Sequence, residues 1–365
     1  MEVTRQPQEG GWRVEILEGE RSLSRCLVVD VQVRVGRAVL RVGGIGGVGT
    51  LPEWRGKGLS RRAMESAVEL MQRERYDLSL LHGIQDFYHR FGYVTCMPEH
   101  EFSMDLRDAE RAPRGARLRR MREGDRQAVV RIYSRDNALR TGSAVRPAKG
   151  WGGFPRGTWW TYRALPYVVV DARGAVQGYV VCNDVQDVCR ASEVGGEGEE
   201  VFAAILSHLA QRALRLRRET VWANVPADHP FAVYCRRFGL RQHSLYPREA
   251  QFMGRVIDLE TCLHALLPEL AWRWGLAERG ESVPLATDVG RATLAWHRGA
   301  LRLAEGAGRS AVRLTQQELT QLVLGYTRPR DLPAAVRRGW SAPRAALLER
   351  LFPLQEAQLW WADRF

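Results

Sequence analysis

The strongest constraint in this chain is a short basic, glycine-rich turn set between an extended run and an amphipathic helix. Val28, Val29, Val31, Val33 and Val35 form a β-branched, partly alternating run, and Val39 to Val42 begins another. From Leu59 onward, Leu59, Ala63, Met64, Ala67, Val68 and Met71 recur at helical spacing on one face. Between them lies Arg55-Gly56-Lys57-Gly58-Leu59-Ser60. The glycines clear side chains from the backbone, the first N–H groups of the helix have no partner of their own, and its positive dipole end faces the same point. With Arg55 and Lys57 beside it, this turn predicts a pyrophosphate cradle.

Two nearby patterns fail on context. Gly44-Ile45-Gly46-Gly47-Val48-Gly49 spells a dinucleotide fingerprint, but Thr50-Leu51-Pro52 separates its last glycine from the helix. Gly56-Lys57 suggests a P-loop, yet Leu51 stands where its first glycine belongs and no hydroxyl residue follows the lysine.

The strand, loop, helix, strand order continues through Leu78–Leu81 and a short helix over 86–91 ended by Gly92, implying a mixed α/β layer fold. A chain of 365 residues has room for two or three such domains. The pattern repeats weakly after Pro113-Arg114-Gly115, with strands over 166–171 and 176–182, a helix over 201–216 and a strand over 220–224. Phe87-Tyr88-His89-Arg90-Phe91-Gly92 echoes as Val233-Tyr234-Cys235-Arg236-Arg237-Phe238-Gly239. After residue 250 come a helix over 259–272, strands around 291–296 and 300–303, and helices over 316–324 and 342–351. The chain closes on Leu359-Trp360-Trp361-Ala362-Asp363-Arg364-Phe365, an aromatic end that predicts burial.

Composition narrows the class. Hydrophobic residues are 45% and charged residues 26%, the balance of a soluble globular protein, and the start carries no apolar leader, so a cytoplasmic location is expected. The net charge of +12 invites a polyanion partner, but all basic residues except Lys57 and Lys149 are arginine and they are spread evenly. That spread is a compositional bias rather than a dedicated nucleic-acid surface. Six scattered cysteines form no CxxC pair and the eight histidines no HExxH cluster, so no metal site is expected.

Val48-x-Thr50-x-Pro52-x-x-Arg55-Gly56-Lys57-Gly58-Leu59 resembles the acetyl-CoA loop of the GNAT N-acetyltransferase superfamily, whose core is (R/Q)xxGx(G/A), with Ser60 at the last position. Phe87-Tyr88-His89-Arg90-Phe91-Gly92-Tyr93 is similar to the (F/I)Y-x-RFGY motif of its enhanced-intracellular-survival (Eis) branch. The resemblance implies an α/β (α+β) chain of three domains. The first, residues 1–112, is an active GNAT domain that lacks the usual opening strand and two helices. The second, 116–250, is a degenerate GNAT fold, and the third, 251–365, is sterol-carrier-protein-like. In the second domain, Gly195-Gly196-Glu197-Gly198-Glu199-Glu200 takes the place of the cofactor loop, and its carboxylates repel a pyrophosphate.

The implied activity is acetyl transfer from acetyl-CoA to a small-molecule primary amine such as an aminoglycoside, a polyamine or a lysine-like amine, by a homo-oligomer that the family makes a hexamer. Val48, Thr50, Arg55, Gly56, Lys57, Gly58, Leu59 and Ser60 are the expected cofactor contacts. Tyr88 is the expected acid, with Tyr93 as rival hydroxyl and His82 and His89 as nearby bases. The C-terminal carboxylate of Phe365 is the expected base, with Asp363 and Glu101 as fallbacks. The alternative expectation for Trp360, Trp361 and Phe365 is that they close the third domain's core. The shortened start leaves a second reading, an acyl-CoA-binding protein without turnover.

Overall fold

The helix after the basic turn forms as its spacing predicts. α1 (Leu59–Arg73) buries Leu59, Ala63, Met64, Ala67, Val68 and Met71 along one stripe and carries Arg73 at its C-terminal end, where the dipole favours a cation. In the computed structural model, residues 1–185, 188–275, 282–308 and 310–365 are described. Contacts divide them into a first unit, Met1–Met97 with Pro247–Gln355 and Phe365, and a second unit, Pro98–Tyr246 with Glu356–Arg364.

The strands, in chain order, begin with β1 (Glu2–Gln8), β2 (Gly11–Glu18), β3 (Arg21–Val35), β4 (Ala38–Thr50), β5 (Leu78–Gly83) and β6 (Val94–Thr95). Next come β7 (Glu99–Asp105), α2 (Leu106–Ala109), β8 (Arg117–Arg120), α3 (Arg126–Asp136), β9 (Ala164–Val170), β10 (Val176–Asn183) and β11 (Cys189–Gly196). α4 (Glu199–Arg215), β12 (Thr220–Ala223), α5 (Pro230–Cys235), β13 (Arg241–Leu245), β14 (Gln251–Val256) and α6 (Leu259–Trp274) follow. The remainder is β15 (Ser282–Thr287), β16 (Gly290–His297), β17 (Ala300–Glu305), β18 (Val312–Arg313), α7 (Gln316–Val323), α8 (Ala334–Arg337) and α9 (Ala342–Leu351).

The first unit holds the sheet β1-β2-β3-β4-β5-β14-β6 and a four-stranded sheet β17-β16-β15-β18. β1 to β4 form an antiparallel meander, and β4 then runs parallel to β5 through the α1 crossover. Val14, Ile16, Cys26 and Val28 of the sheet close on Ala63, Met64, Ala67 and Met71 of α1. Gly43 has no side chain because Met71 of α1 lies against it. The second unit holds β13-β7-β12-β11-β10-β9-β8, where β11 runs parallel to β12 and α4 lies between them in sequence.

This partition differs from the segments read off the sequence. β7 falls inside the expected first domain but pairs antiparallel with β12 and β13 in the second sheet. β14 opens the expected third domain but pairs with β5 across six positions in the first sheet. The physical reason is edge coverage: β6 has two residues and cannot satisfy the exposed edge of β5, so a distant strand does. β1 is a strand that polar sequence concealed, since its solvent-side edge position lets Arg5 and Gln6 remain wet. It turns directly into β2, and among the described residues no helix precedes Pro52.

One carboxylate ties the β3–β4 hairpin to α6. Glu269 is buried and accepts the Arg37 backbone N–H at 2.7 Å and Arg273 Nε at 2.8 Å. A side chain at Gly36, in the hairpin turn, would collide with that carboxylate. Replacing Glu269 by Ala leaves the buried Arg273 guanidinium without its carboxylate, only the Leu351 carbonyl remaining at 2.7 Å, and is expected to cost about 3–5 kcal/mol. Urea denaturation of the variant against the parent chain measures this.

Candidate active site

β4 and β5 part company halfway along. Their parallel pairing runs from Val42↔Leu78 to Ile45↔Leu81, after which β5 is held by β14 alone and β4 continues with β3. On β4 the register against β3 slips by one residue, because Arg25 pairs with Gly49 whereas Leu27 pairs with Gly46. The extra residue is a β-bulge, and Gly47, at φ +57°, supplies the left-handed backbone that it needs. Residues 46–50 therefore run beside an open gap.

The gap leads into the basic turn. A 3-10 turn, Pro52–Trp54, is followed by Gly56 and Gly58 at φ +76° and +74°, and α1 starts with no side-chain cap on its first N–H groups. Nothing lies within 4 Å of where a Cβ would stand on either glycine, so their role is backbone conformation in open space. Arg55 and Lys57 are exposed; Arg55 Nε reaches the Thr50 carbonyl at 3.4 Å and the Lys57 ammonium lies 4.1 Å over the Trp54 ring. Leu59 is buried as the first core residue of the helix, Ser60 half-buried beside it, and Val48 half-buried on β4. The Thr50 hydroxyl is 2.9 Å from Ser24 Oγ, which also donates to the Gly49 carbonyl.

Tyr88 and Phe365 occupy the two faces of this parted pair. Tyr88 belongs to the core that contains α1, with its ring against Gly83 at the end of β5. It is 9% exposed, and among the described residues its hydroxyl has no hydrogen bond. Burial pushes its pKa up to about 12, with the Cys26 thiol adding to the shift, so the phenol is neutral at physiological pH. Gly43 faces α1; Gly44 and Gly46 face the other way, and there Phe365 sits. A Cβ on Gly44 would stand 2.6 Å from the Phe365 ring, and one on Gly46 would stand 3.0 Å from its carboxyl carbon. The glycines that mimic a dinucleotide fingerprint in the sequence thus make a bare strip of strand under the C-terminal residue.

The other candidates are engaged elsewhere. The Tyr93 hydroxyl is fully buried, 2.7 Å from Ser79 Oγ, which itself donates to the Gly43 carbonyl. His89 lies 3.5 Å from Glu249, and His82 packs edge-on against Phe252. Of the fallback carboxylates, Glu101 is paired with Arg190, and Asp363 accepts two hydrogen bonds from Arg146. Both belong to the second unit. Trp360 does not close the third segment's core: it is part of the second unit's core, and Trp361 packs against Trp159 and Trp160. Among the described residues no group of three or more His, Cys, Asp or Glu is placed to hold a metal ion.

The second unit has the same parted strands with the space filled. β11 pairs with β12 only from Cys189 to Ala191 and then runs on to Gly196. The Gly196 N–H donates to Asp136 at 2.7 Å, the Tyr179 ring crowds Gly195, and Glu197 and Glu199 pair with Arg135 and Arg237. His229 accepts the Phe231 N–H at 3.2 Å and hydrogen-bonds the backbone of Val194. Burial lowers its pKa to about 3, so the ring is neutral.

Residues 2–96 match the family model of the acetyltransferase (GNAT) domain. Three solved structures share the fold of nearly the whole chain. A conserved protein of unknown function from Enterococcus faecalis, described as a probable N-acyltransferase, is 18% identical, with 98% of this chain and 90% of that one covered and a TM-score of 0.75. A GCN5-related N-acetyltransferase from Kribbella flavida is 19% identical over 97% of this chain and 87% of its own, at 0.72. Eis1 from Mycobacterium abscessus is 16% identical over 98% and 92%, at 0.64. No curated protein matches the chain by sequence. Residues 2–96 thus match a GNAT acetyltransferase domain, and that match supports a transferase.

The contact between Phe365 and the bare strip has a thermodynamic signature. Gly44→Ala is expected to lower stability by about 1–3 kcal/mol through overpacking. Phe365→Ala in the same chain should relieve that strain, giving a coupling of about 0.5–3 kcal/mol in a urea-denaturation double-mutant cycle. Additive energies would remove Phe365 from β4.

Proposed function

We propose that the chain is an acetyl-CoA-dependent N-acetyltransferase of the Eis-like type, acting on a primary amine of a small molecule. The observation that carries this reading is the parted β4–β5 pair opening onto the basic turn inside the matched domain. Gly56, Lys57, Gly58, Leu59 and Ser60 would offer the pyrophosphate unpaired N–H groups at the start of α1, with Arg55 and Lys57 adding charge. The free edge of β4 at Val48 and Thr50 would take the pantetheine as an added strand and give the thioester oxygen an N–H donor.

The two faces then divide the proton work. The amine nitrogen attacks the thioester carbonyl carbon, the C–N bond forms and the C–S bond breaks. The amine's proton passes to the Phe365 carboxylate on one face. The departing thiolate takes the Tyr88 phenolic proton on the other. A neutral phenol suits this step, because it gives up its proton only when a basic thiolate appears. The second unit is read as a copy without a cofactor, consistent with the carboxylates in its loop. The segment after β14, with its own sheet, is read as sterol-carrier-protein-like, and the enzyme as a cytoplasmic homo-oligomer, hexameric by resemblance. Acetyl-CoA is the donor, and the reading requires no metal.

Thiol release from acetyl-CoA in the presence of spermidine, kanamycin or a lysine peptide tests the activity. Coenzyme A binding without turnover on any amine favours the acyl-CoA-binding alternative, for which the absence of a helix before Pro52 among the described residues speaks. Tyr88→Phe is expected to lower kcat by about 10²-fold with coenzyme A affinity unchanged by calorimetry. Because the phenol's pKa of about 12 lies beyond the assay range, the kcat profile should show no alkaline limb from Tyr88 between pH 6 and 10. One glycine added after Phe365 should abolish turnover in a folded protein. Survival of activity in that extended chain removes the terminal carboxylate from the chemistry.

A further inference from the structure

The last residues of the chain are held by the second unit at closely spaced points. Arg140 donates to the Glu356 carbonyl at 3.0 Å, and the Gln358 N–H donates to the Thr141 carbonyl at 2.9 Å. The Trp360 indole donates to Asn137 Oδ1 at 2.9 Å, its ring is fully buried, and it lies edge-on to His229. Asp363 ends the series. It accepts Arg146 Nε at 2.9 Å and an Arg146 terminal nitrogen at 3.0 Å, and the Tyr133 hydroxyl donates to it at 3.1 Å.

Arg146 is fixed from every side. Its side chain is 2% exposed, it lies 3.6 Å over the Tyr133 ring, and its two terminal nitrogens each donate at 2.7 Å to Glu193 on β11. Tyr179 on β10 donates to the same Glu193 at 2.7 Å. One guanidinium thus joins Glu193 of β11, which Tyr179 of β10 also holds, to a carboxylate two residues before the end of the chain. A well-packed apolar contact would bury this segment equally well; a bidentate ion pair also fixes orientation and register. Two residues of extended chain reach at most about 7 Å, so whatever fixes Asp363 confines Phe365 closely.

We propose that Arg146, acting through Asp363, anchors the C-terminal segment, and that the second unit's parted strands serve as the receptor for that segment. Its catalytic consequence rests on the reading of Phe365 as the base. Its structural content does not, because the occupancy of Phe365 is measurable without turnover.

Carboxypeptidase A, which removes C-terminal aromatic residues, supplies the probe, with released phenylalanine and the shortened mass as readouts. In the parent chain Phe365 is expected to be protected. Asp363→Asn keeps the shape and loses the charge; it should release phenylalanine at least tenfold faster, with near-UV circular dichroism and coenzyme A affinity unchanged. Asp363→Glu should recover part of the protection. Tyr133→Phe keeps the ring under Arg146 and removes the hydroxyl, whose one proton is shared between the Ala144 carbonyl at 2.9 Å and Asp363 at 3.1 Å; it should accelerate release by a few-fold even if Asp363→Asn does not fold. The same variants should lower kcat for thiol release without raising KM for acetyl-CoA. Protection equal to the parent in both Asp363→Asn and Tyr133→Phe overturns the proposal. Faster release with unchanged kcat upholds the positioning and overturns Phe365 as the base.

Discussion

The parting of β4 from β5 after Ile45 and Leu81 is the event on which the rest of the first unit's site depends. It follows from one extra residue in β4, accommodated at Gly47, and from β14 taking the edge of β5 that β4 abandons. Backbone groups are obligatory hydrogen-bonding partners, so an unpaired strand edge inside a domain invites an extended ligand. The bulge also sets which residues face which way. Gly43 accommodates Met71 of α1, while Gly44 and Gly46 leave a side-chain-free strip on the opposite face, where Phe365 lies. Helix packing, a free strand edge and a seat for the terminal residue all come from the same short stretch.

The second unit shows what the same framework does with other residues. Its strands part at the corresponding point, after Ala191 and Ala223, and a helix follows in both cases. Where the first unit has glycines and cations, it places Asp136 on the Gly196 N–H, Tyr179 against Gly195, and His229 on the backbone of Val194. Each satisfies a group that would otherwise await a ligand. A carboxylate at the start of a helix is as well placed electrostatically as a phosphate, so the filled site is stable by itself.

Local order was legible where it has a local cause. The α1 stripe, the hairpin turning at Gly174, the Gly92 and Gly239 echoes and the helices α7 and α9 all follow from periodicity or from left-handed glycine, and they stand where the spacing put them. The place of the basic turn was legible too, since it lies in six consecutive residues ahead of α1. What the sequence hid is nonlocal. Nothing in Glu99–Asp105 or Gln251–Val256 says which sheet each strand will join, because that is decided by whichever edge lacks a partner. Gly44 and Gly46 were visible as a pattern, but their reason is Phe365, more than three hundred residues away. Burial of the aromatic terminus was foreseeable; its division, with Trp360 in one unit's core and Phe365 on the other unit's strand, was not.

The arginine bias gains a meaning in the same way. Read as net charge, it pointed to a polyanion; read as geometry, it supplies planar forks. Arg119 meets Asp125 at 2.7 and 3.0 Å, Arg140 meets Asp228 at 3.0 and 3.2 Å, and Arg146 meets Glu193 at 2.7 Å twice. Lysine, a point charge on a flexible stem, makes none of these two-pronged bonds. Burial disfavours the charge on Arg146, but Asp363 and Glu193 more than offset that, so the guanidinium remains cationic inside the sheet. Much of the positive charge is therefore spent on holding segments of the chain to one another. Arg55 and Lys57 differ, because both are exposed and the carboxylate nearest them in sequence, Glu53, is already paired with Arg21. Their charge stands exposed on the turn between β4 and α1.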